Sequence, residues 1–167
     1  MQAVLFDFDG TLADSYPAIA ASVNFVRAQR GLPPLPESAV RVHVGRGPGH
    51  LLTHTVGVGD PAENERIYRQ HHPTVMRQGT RLLQDVAPTL MRLRERGLRL
   101  GVCSNKPVAY TRELLEELGV AGCFEAVLGP EDVARPKPAP DMLLACLARL
   151  GVPAPLAVYV GDMTVDV

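Results

Sequence analysis

Apolar and polar positions along the 167 residues fall into a recurring order: a helix-spaced stretch, a glycine, then a short apolar run. Asp85 to Arg96 reads as a helix start and body with Leu90 and Leu93 on one face; Gly97 ends it and Leu98–Cys103 follows. Pro107 to Leu118 runs into Gly119, with Phe124 to Leu128 beyond, and Pro140 to Leu150 runs into Gly151 ahead of LAVYV. Proline at the first turn and glycine past the last are start and stop signals for helices. The pattern predicts strands over Ala3–Phe8, Leu98–Cys103, Ala126–Leu128 and Ala157–Val160. Strands apolar on both faces and alternating with three-turn helices imply βαβ units, hence a parallel sheet covered on both sides.

Residues from about Ser15 to Gly79 break this order. A helix opens at Ser15 and Pro17, shows Ile19, Val23 and Val26 on one face, and stops at Gly31 with Pro33 and Pro34. Further helical stretches begin near Gly49 and run from about Pro61 to Met76. The expected organisation is a Rossmann-like α/β core of residues 1–14 and 80–167, with a small inserted helical domain over 15–79.

Composition narrows the function classes. With 46% hydrophobic and 21% charged residues the chain has material for a real core, and a net charge of −1 offers no basic face for nucleic acid or anionic membrane. Cys103, Cys123 and Cys146 are odd in number and share no CxxC spacing, which argues against disulfides and zinc and for a reducing cytoplasm. There is no basic start with a long apolar run at the N-terminus, and no stretch nears the roughly 20 apolar residues that cross a bilayer.

In open parallel sheets ligands bind beyond the carboxyl ends of the strands. There this chain carries Asp7 and Asp9, Ser104 and Asn105, and Asp162. If the first strand runs through Phe8, Asp7 and Asp9 share one face, roughly 6–7 Å apart at Cα. At an effective dielectric of about 20, two carboxylates about 5 Å apart repel by roughly 3 kcal/mol, a large share of a domain's stability, so a compensating charge is expected. Each residue alone has a blander explanation: Asp9-Gly10 as a turn, Ser104 as a helix cap, Lys137 as a solvated loop lysine, Asp162 and Asp166 as an acidic helix start. The joint pattern is what overturns these.

Asp7-Phe8-Asp9-Gly10-Thr11, Ser104-Asn105, Lys137 within RPKPAP, and Gly161-Asp162 with Asp166 four residues on resemble, in order, the motifs of the haloacid dehalogenase superfamily of phosphotransferases. Within it DFDGTLADS, RGLPPLPESAVR with VGRG after it, CSNKP and RPKPAPDML are most similar to the phosphoglycolate phosphatases. The resemblance implies a Mg2+-dependent phosphomonoester hydrolase acting on a small phosphorylated metabolite, 2-phosphoglycolate foremost, through an aspartyl-phosphate. It makes Asp7 the nucleophile, Asp9 the acid and base, and Lys137 the neutralising charge. Thr11, Ser104, Asn105 and Lys137 would serve the phosphoryl group, and Arg46, in Gly45-Arg46-Gly47-Pro48-Gly49, a substrate carboxylate. The metal would lie on an Asp7 oxygen, the Asp9 main-chain carbonyl and Asp162, with Asp166 orienting or joining them, and would relieve the Asp7–Asp9 repulsion. Two other readings stay open: a sugar-phosphate mutase of the same superfamily, and a phospho-accepting receiver domain. His50 and His54 lack the glutamate of a zinc-protease helix and are expected to be structural or solvated, and Cys103 to be an inert buried thiol. A monomer or homodimer is expected, without membrane or nucleic-acid partner. The resemblance also implies more core after Asp166, so the C-terminal part of the core reads as missing and Ala157–Val160 as an apolar edge.

Overall fold

A computed structural model describes residues 1–166. In chain order the regular elements are β1 (Ala3–Phe6), β2 (Ala13–Asp14), α1 (Tyr16–Gln29), α2 (Glu37–Arg41), α3 (Gly47–Thr55), α4 (Pro61–Val75) and β3 (Arg81–Leu82). They continue with α5 (Val86–Glu95), β4 (Arg99–Cys103), α6 (Val108–Glu117), β5 (Ala126–Leu128), α7 (Asp141–Leu150) and β6 (Ala157–Val160). Two units result: Ser15–Arg81, which is helical, and a sheet unit made of Met1–Asp14 with Leu82 onward.

In the sheet unit the strands lie in the order β5-β4-β1-β6, all parallel. Leu5 of β1 faces Gly101 of β4 and Tyr159 of β6, and Phe6 faces Val102 and Val160. The fold is thus the Rossmann-like α/β core that alternating apolar runs and helices imply. One core cluster gathers Ala3 and Leu5 of β1, Cys103 of β4, Leu128 of β5, and Met142, Cys146, Leu147 and Leu150 from one face of α7. Each fully buried leucine of that set stabilises the fold by about 2 kcal/mol. Gly151 ends α7 at φ 62°, a left-handed turn in which its N–H reaches the Ala148 carbonyl. Strand β6 is an edge among the described residues, with Val158 and Val160 48% and 40% exposed.

In the helical unit, Ile19, Val23 and Val26 of α1 lie in one cluster with Val40, Leu51, Leu52 and Tyr68. The five-residue α2 has no counterpart in the pattern reading, because prolines at 33, 34 and 36 read as loop. No described helix is long and apolar enough to cross a membrane.

The first strand is shorter than expected. It ends at Phe6, not Phe8; the Asp7 N–H still donates to the Val160 carbonyl at 2.9 Å, and the chain then turns. Phe8 drives that turn: it is fully buried, and its carbonyl accepts from the N–H groups of Leu12 and Ala13 at 3.0 and 3.1 Å. The Leu83 N–H donates to the Leu12 carbonyl at 3.0 Å and ties the returning chain to the departing one.

Candidate functional site

Parallel register brings the C-terminal ends of β1, β4 and β6 level, so the residues that follow them meet: Asp7, Ser104 to Lys106, and Asp162 to Asp166. Lys137 arrives from the loop ahead of α7.

Asp7 is buried, and its Oδ1 lies 3.0 Å from the Lys137 ammonium. The two are ion-paired but not aligned for a hydrogen bond, so this buried oxygen has no hydrogen-bond donor. Burial pushes the Asp7 pKa from 3.8 up to about 6; the Asp9 and Asp166 charges add to the rise, while Lys137 and a hydrogen bond from Ser104 oppose it. The Lys137 ammonium also donates to Asp166 Oδ1 at 2.7 Å and to the Tyr159 hydroxyl at 2.6 Å.

Asp9 does not share a strand face with Asp7, because the chain has already turned. Its carboxylate pairs with Lys106 Nζ at 3.1 Å, and both side chains are nearly shielded from solvent. The chain itself also supplies an ammonium to each aspartate, Lys137 to Asp7 and Lys106 to Asp9, while the Asp9 charge still helps to raise the Asp7 pKa.

Asp162 is exposed and accepts from the Thr11 hydroxyl at 3.0 Å. Asp166 takes the Lys137 and Tyr159 donors on Oδ1, and the Met163 N–H on Oδ2 at 2.9 Å. Gly161 makes room for it: a Cβ there would lie 2.6 Å from the Asp166 Cβ and overlap the carboxyl group. Among the described residues Asp7, Asp162 and Asp166 each offer an oxygen within 4.8 Å of the others. An all-oxygen set that includes a buried carboxylate oxygen without a donor fits a hard divalent cation such as Mg2+. The Asp9 side chain stands outside that set, on Lys106.

Ser104 is buried, and its Oγ accepts from the Lys106 N–H at 3.3 Å. The Asn105 side chain spans to the loop: its amide donates to the Lys137 carbonyl at 2.8 Å and its oxygen accepts from the Lys137 N–H at 3.0 Å. Asn105 thereby fixes the backbone that presents the lysine. Arg46 belongs to the helical unit, exposed at the start of α3; desolvation first, then the charges of His54, Arg46 and His43, hold His50 below the usual histidine range. The rings of His50 and His54 lie 4.0 Å apart, tilted by 39°, and His43 stacks on His54 at 5.2 Å. Cys103 is buried, and contact with Cys146 together with burial pushes its thiol up, away from reactivity.

Sequence reasoning missed Lys106 and Tyr159. Lys106 follows Ser104-Asn105 directly at the same strand end, which was a usable signal. Tyr159 brings a hydroxyl into the otherwise apolar run LAVYV, and a buried tyrosine hydroxyl needs a partner. Burial and the charges of Asp7 and Asp166 push its phenol pKa upward, so it stays a neutral donor.

The sequence pattern of the haloacid dehalogenase-like hydrolases matches residues 4–167. A phosphoglycolate phosphatase of Rhodospirillum rubrum is 39% identical over 99% of this chain and 73% of its own length. One from Yersinia pseudotuberculosis is 32% identical over 100% of this chain and 75% of its own. Among solved structures, a protein described as haloacid dehalogenase-like from Bacteroides fragilis superposes with a TM-score of 0.92 at 29% identity, over 99% of this chain and 80% of that one. On the match over residues 4–167 and the relatives above 30% identity, the chain belongs to the haloacid dehalogenase-like hydrolases and is a phosphatase of that family.

Proposed function

We propose that the protein hydrolyses a small phosphomonoester in a Mg2+-dependent reaction, with 2-phosphoglycolate the leading substrate, and that it works in a reducing cytoplasm. The observation that carries this is the buried Asp7 carboxylate, whose Oδ1 has no hydrogen-bond donor and lies between an ammonium and two further carboxylates. The names of the curated relatives support the substrate.

Asp7 attacks phosphorus, forming a carboxyl–phosphorus bond as the ester oxygen leaves. Asp9 gives that oxygen its proton, then takes one from the water that attacks the aspartyl-phosphate and frees inorganic phosphate and Asp7. Lys137 balances the charge gathering on the phosphoryl oxygens, and Ser104 with the Asn105 main chain binds them. The side chains of Asp7, Asp162 and Asp166 and the Asp9 carbonyl would hold Mg2+, which when bound polarises the phosphoryl oxygen and shields the nucleophile from the dianion. Thr11 orients Asp162. The resemblance alone assigns Arg46 to a substrate carboxylate.

A panel of phosphomonoesters assayed for phosphate release with Mg2+ and with chelator tests the reading. Turnover should favour 2-phosphoglycolate, stop with EDTA, and fall at least a thousandfold in Asp7→Asn, roughly what loss of a nucleophile costs. Chelator-indifferent turnover refutes the metal. No preference for 2-phosphoglycolate refutes the substrate, and interconversion of hexose phosphates without phosphate release refutes hydrolysis.

A further inference from the structure

Tyr159 stands third in β6, its ring packed with Ala157 against the cluster around Leu5 and Cys146. Its hydroxyl lies 2.6 Å from Lys137 Nζ, 2.9 Å from Asp166 Oδ1 and 3.1 Å from the Cys103 carbonyl. A phenol has one proton, so the hydroxyl accepts from Lys137 and donates to either Asp166 or the Cys103 carbonyl. The lysine donates to two oxygens, the Tyr159 hydroxyl and Asp166 Oδ1, and is ion-paired with a third, Asp7 Oδ1, at 3.0 Å.

Two of those oxygens sit on carboxyl groups of the set that fits a divalent cation, and the third does not. A cation drawing on the lone pairs of Asp7 and Asp166 competes with the ammonium for them. The Tyr159 oxygen is neutral, carried on a strand, and within reach of a main-chain carbonyl. It is the acceptor that can keep Lys137 in place once the carboxylates turn to metal. We propose that Tyr159 is a positioning residue: its hydroxyl holds the Lys137 ammonium beside Asp7 while Asp7 and Asp166 give up that ammonium for a divalent cation. Lacking this hydroxyl, Lys137 leans on the carboxylates and opposes the cation.

Tyr159→Phe tests this, since it keeps the packed ring and removes one oxygen. Magnesium binding to the full chain is measured by calorimetry, turnover of a phosphomonoester by phosphate release, and folding by thermal melting. The expected result is about tenfold weaker Mg2+ binding and a kcat about tenfold lower, the scale of one lost hydrogen bond to a charged group, with KM for the ester within twofold. The melting temperature should fall by no more than about 4 °C. Equal Mg2+ isotherms for the two proteins, including no heat from either, overturn the proposal whatever kcat does. So does weaker binding accompanied by a Tm loss beyond about 10 °C, which would place the effect in packing. The turnover measurement rests on the phosphatase reading above. A wild-type protein without ester turnover sinks that reading, while the isotherms still decide the role of Tyr159.

Discussion

Replacing Lys106 by methionine removes the charge that faces Asp9 and keeps most of the side-chain volume. The ion pair is 3.1 Å long, with the lysine side chain 4% and the aspartate 10% exposed. At an effective dielectric of about 20 the direct attraction over that distance is about 5 kcal/mol, part of it offset by the cost of taking both charges out of water. Lys106→Met stops the attraction and leaves the Asp9 carboxylate buried, a change that costs about 3–5 kcal/mol where measured. The loss of the ammonium from above the Phe8 ring, 5.9 Å away, adds at most about 1 kcal/mol. A fall of about 3 kcal/mol corresponds to roughly 6–12 °C in melting temperature for a chain of this size. Asp9→Asn in the same chain removes the stranded charge, so the double variant should be more stable than Lys106→Met, with a coupling of about 2 kcal/mol. Urea unfolding and thermal melting of the four proteins at pH 7 without metal measure both quantities. A Lys106→Met protein within about 1 kcal/mol of wild type, or a cycle that closes additively, refutes the claim that Lys106 is the compensating charge.

The raised pKa of Asp7 makes stability pH-dependent. An acid that holds its proton more tightly when folded stabilises fully below its unfolded value near 4 and loses that contribution as pH climbs through about 6, here about 3 kcal/mol. Saturating Mg2+ should abolish the decline, and melts between pH 4 and 7 with and without the ion check it; identical profiles count against Asp7 as a ligand. Gly101→Ala places a Cβ 2.5 Å from Cys146 Sγ and 2.9 Å from Leu5 Cδ2, so it should cost about 1–3 kcal/mol in urea unfolding, partly restored by Cys146→Ala. Asp85 holds φ 62° ahead of α5 without capping that helix through its side chain, so Asp85→Gly should raise the melting temperature by about 1–4 °C.

The sheet was legible because each buried strand is apolar on both faces and bounded by turn residues. β5 and β6 fall where Ala126–Leu128 and Ala157–Val160 were expected, and β4 begins one residue later, at Arg99. The end of β1 was not legible. Phe8 looks like a strand residue in composition, and only its tertiary burial and its carbonyl's three main-chain donors reveal a turn. Order along the chain gave the carboxylates, since strand ends in a parallel sheet converge whatever the loops do. It did not give the cations: Lys106 and Lys137 both sit in loops, and which aspartate each reaches depends on loop paths that no periodicity encodes. Asn105 illustrates the same limit, with its side chain committed to the Lys137 backbone.

The charge balance at the strand ends ties these observations together. Among the described residues, Asp7, Asp9, Asp162 and Asp166 stand near two buried ammonium groups, Lys106 and Lys137. Lys106 is spent on Asp9, which keeps that carboxylate apart from the set around Asp7. Lys137 is divided between Asp7 and Asp166, and Asp162 has a hydroxyl for company. Burial first, and the neighbouring charges of Asp9 and Asp166 after it, push the Asp7 pKa up to about 6 against the pull of Lys137. A third lysine would neutralise the site and hold the nucleophile in a permanent ion pair, leaving no vacancy for a cation. Too few lysines would leave Asp9 and Asp7 repelling each other, as the sequence suggested. Two is the number that keeps the acid compensated and leaves the nucleophile short of positive charge, and a dication answering that shortage brings the field that a phosphate dianion needs in order to approach.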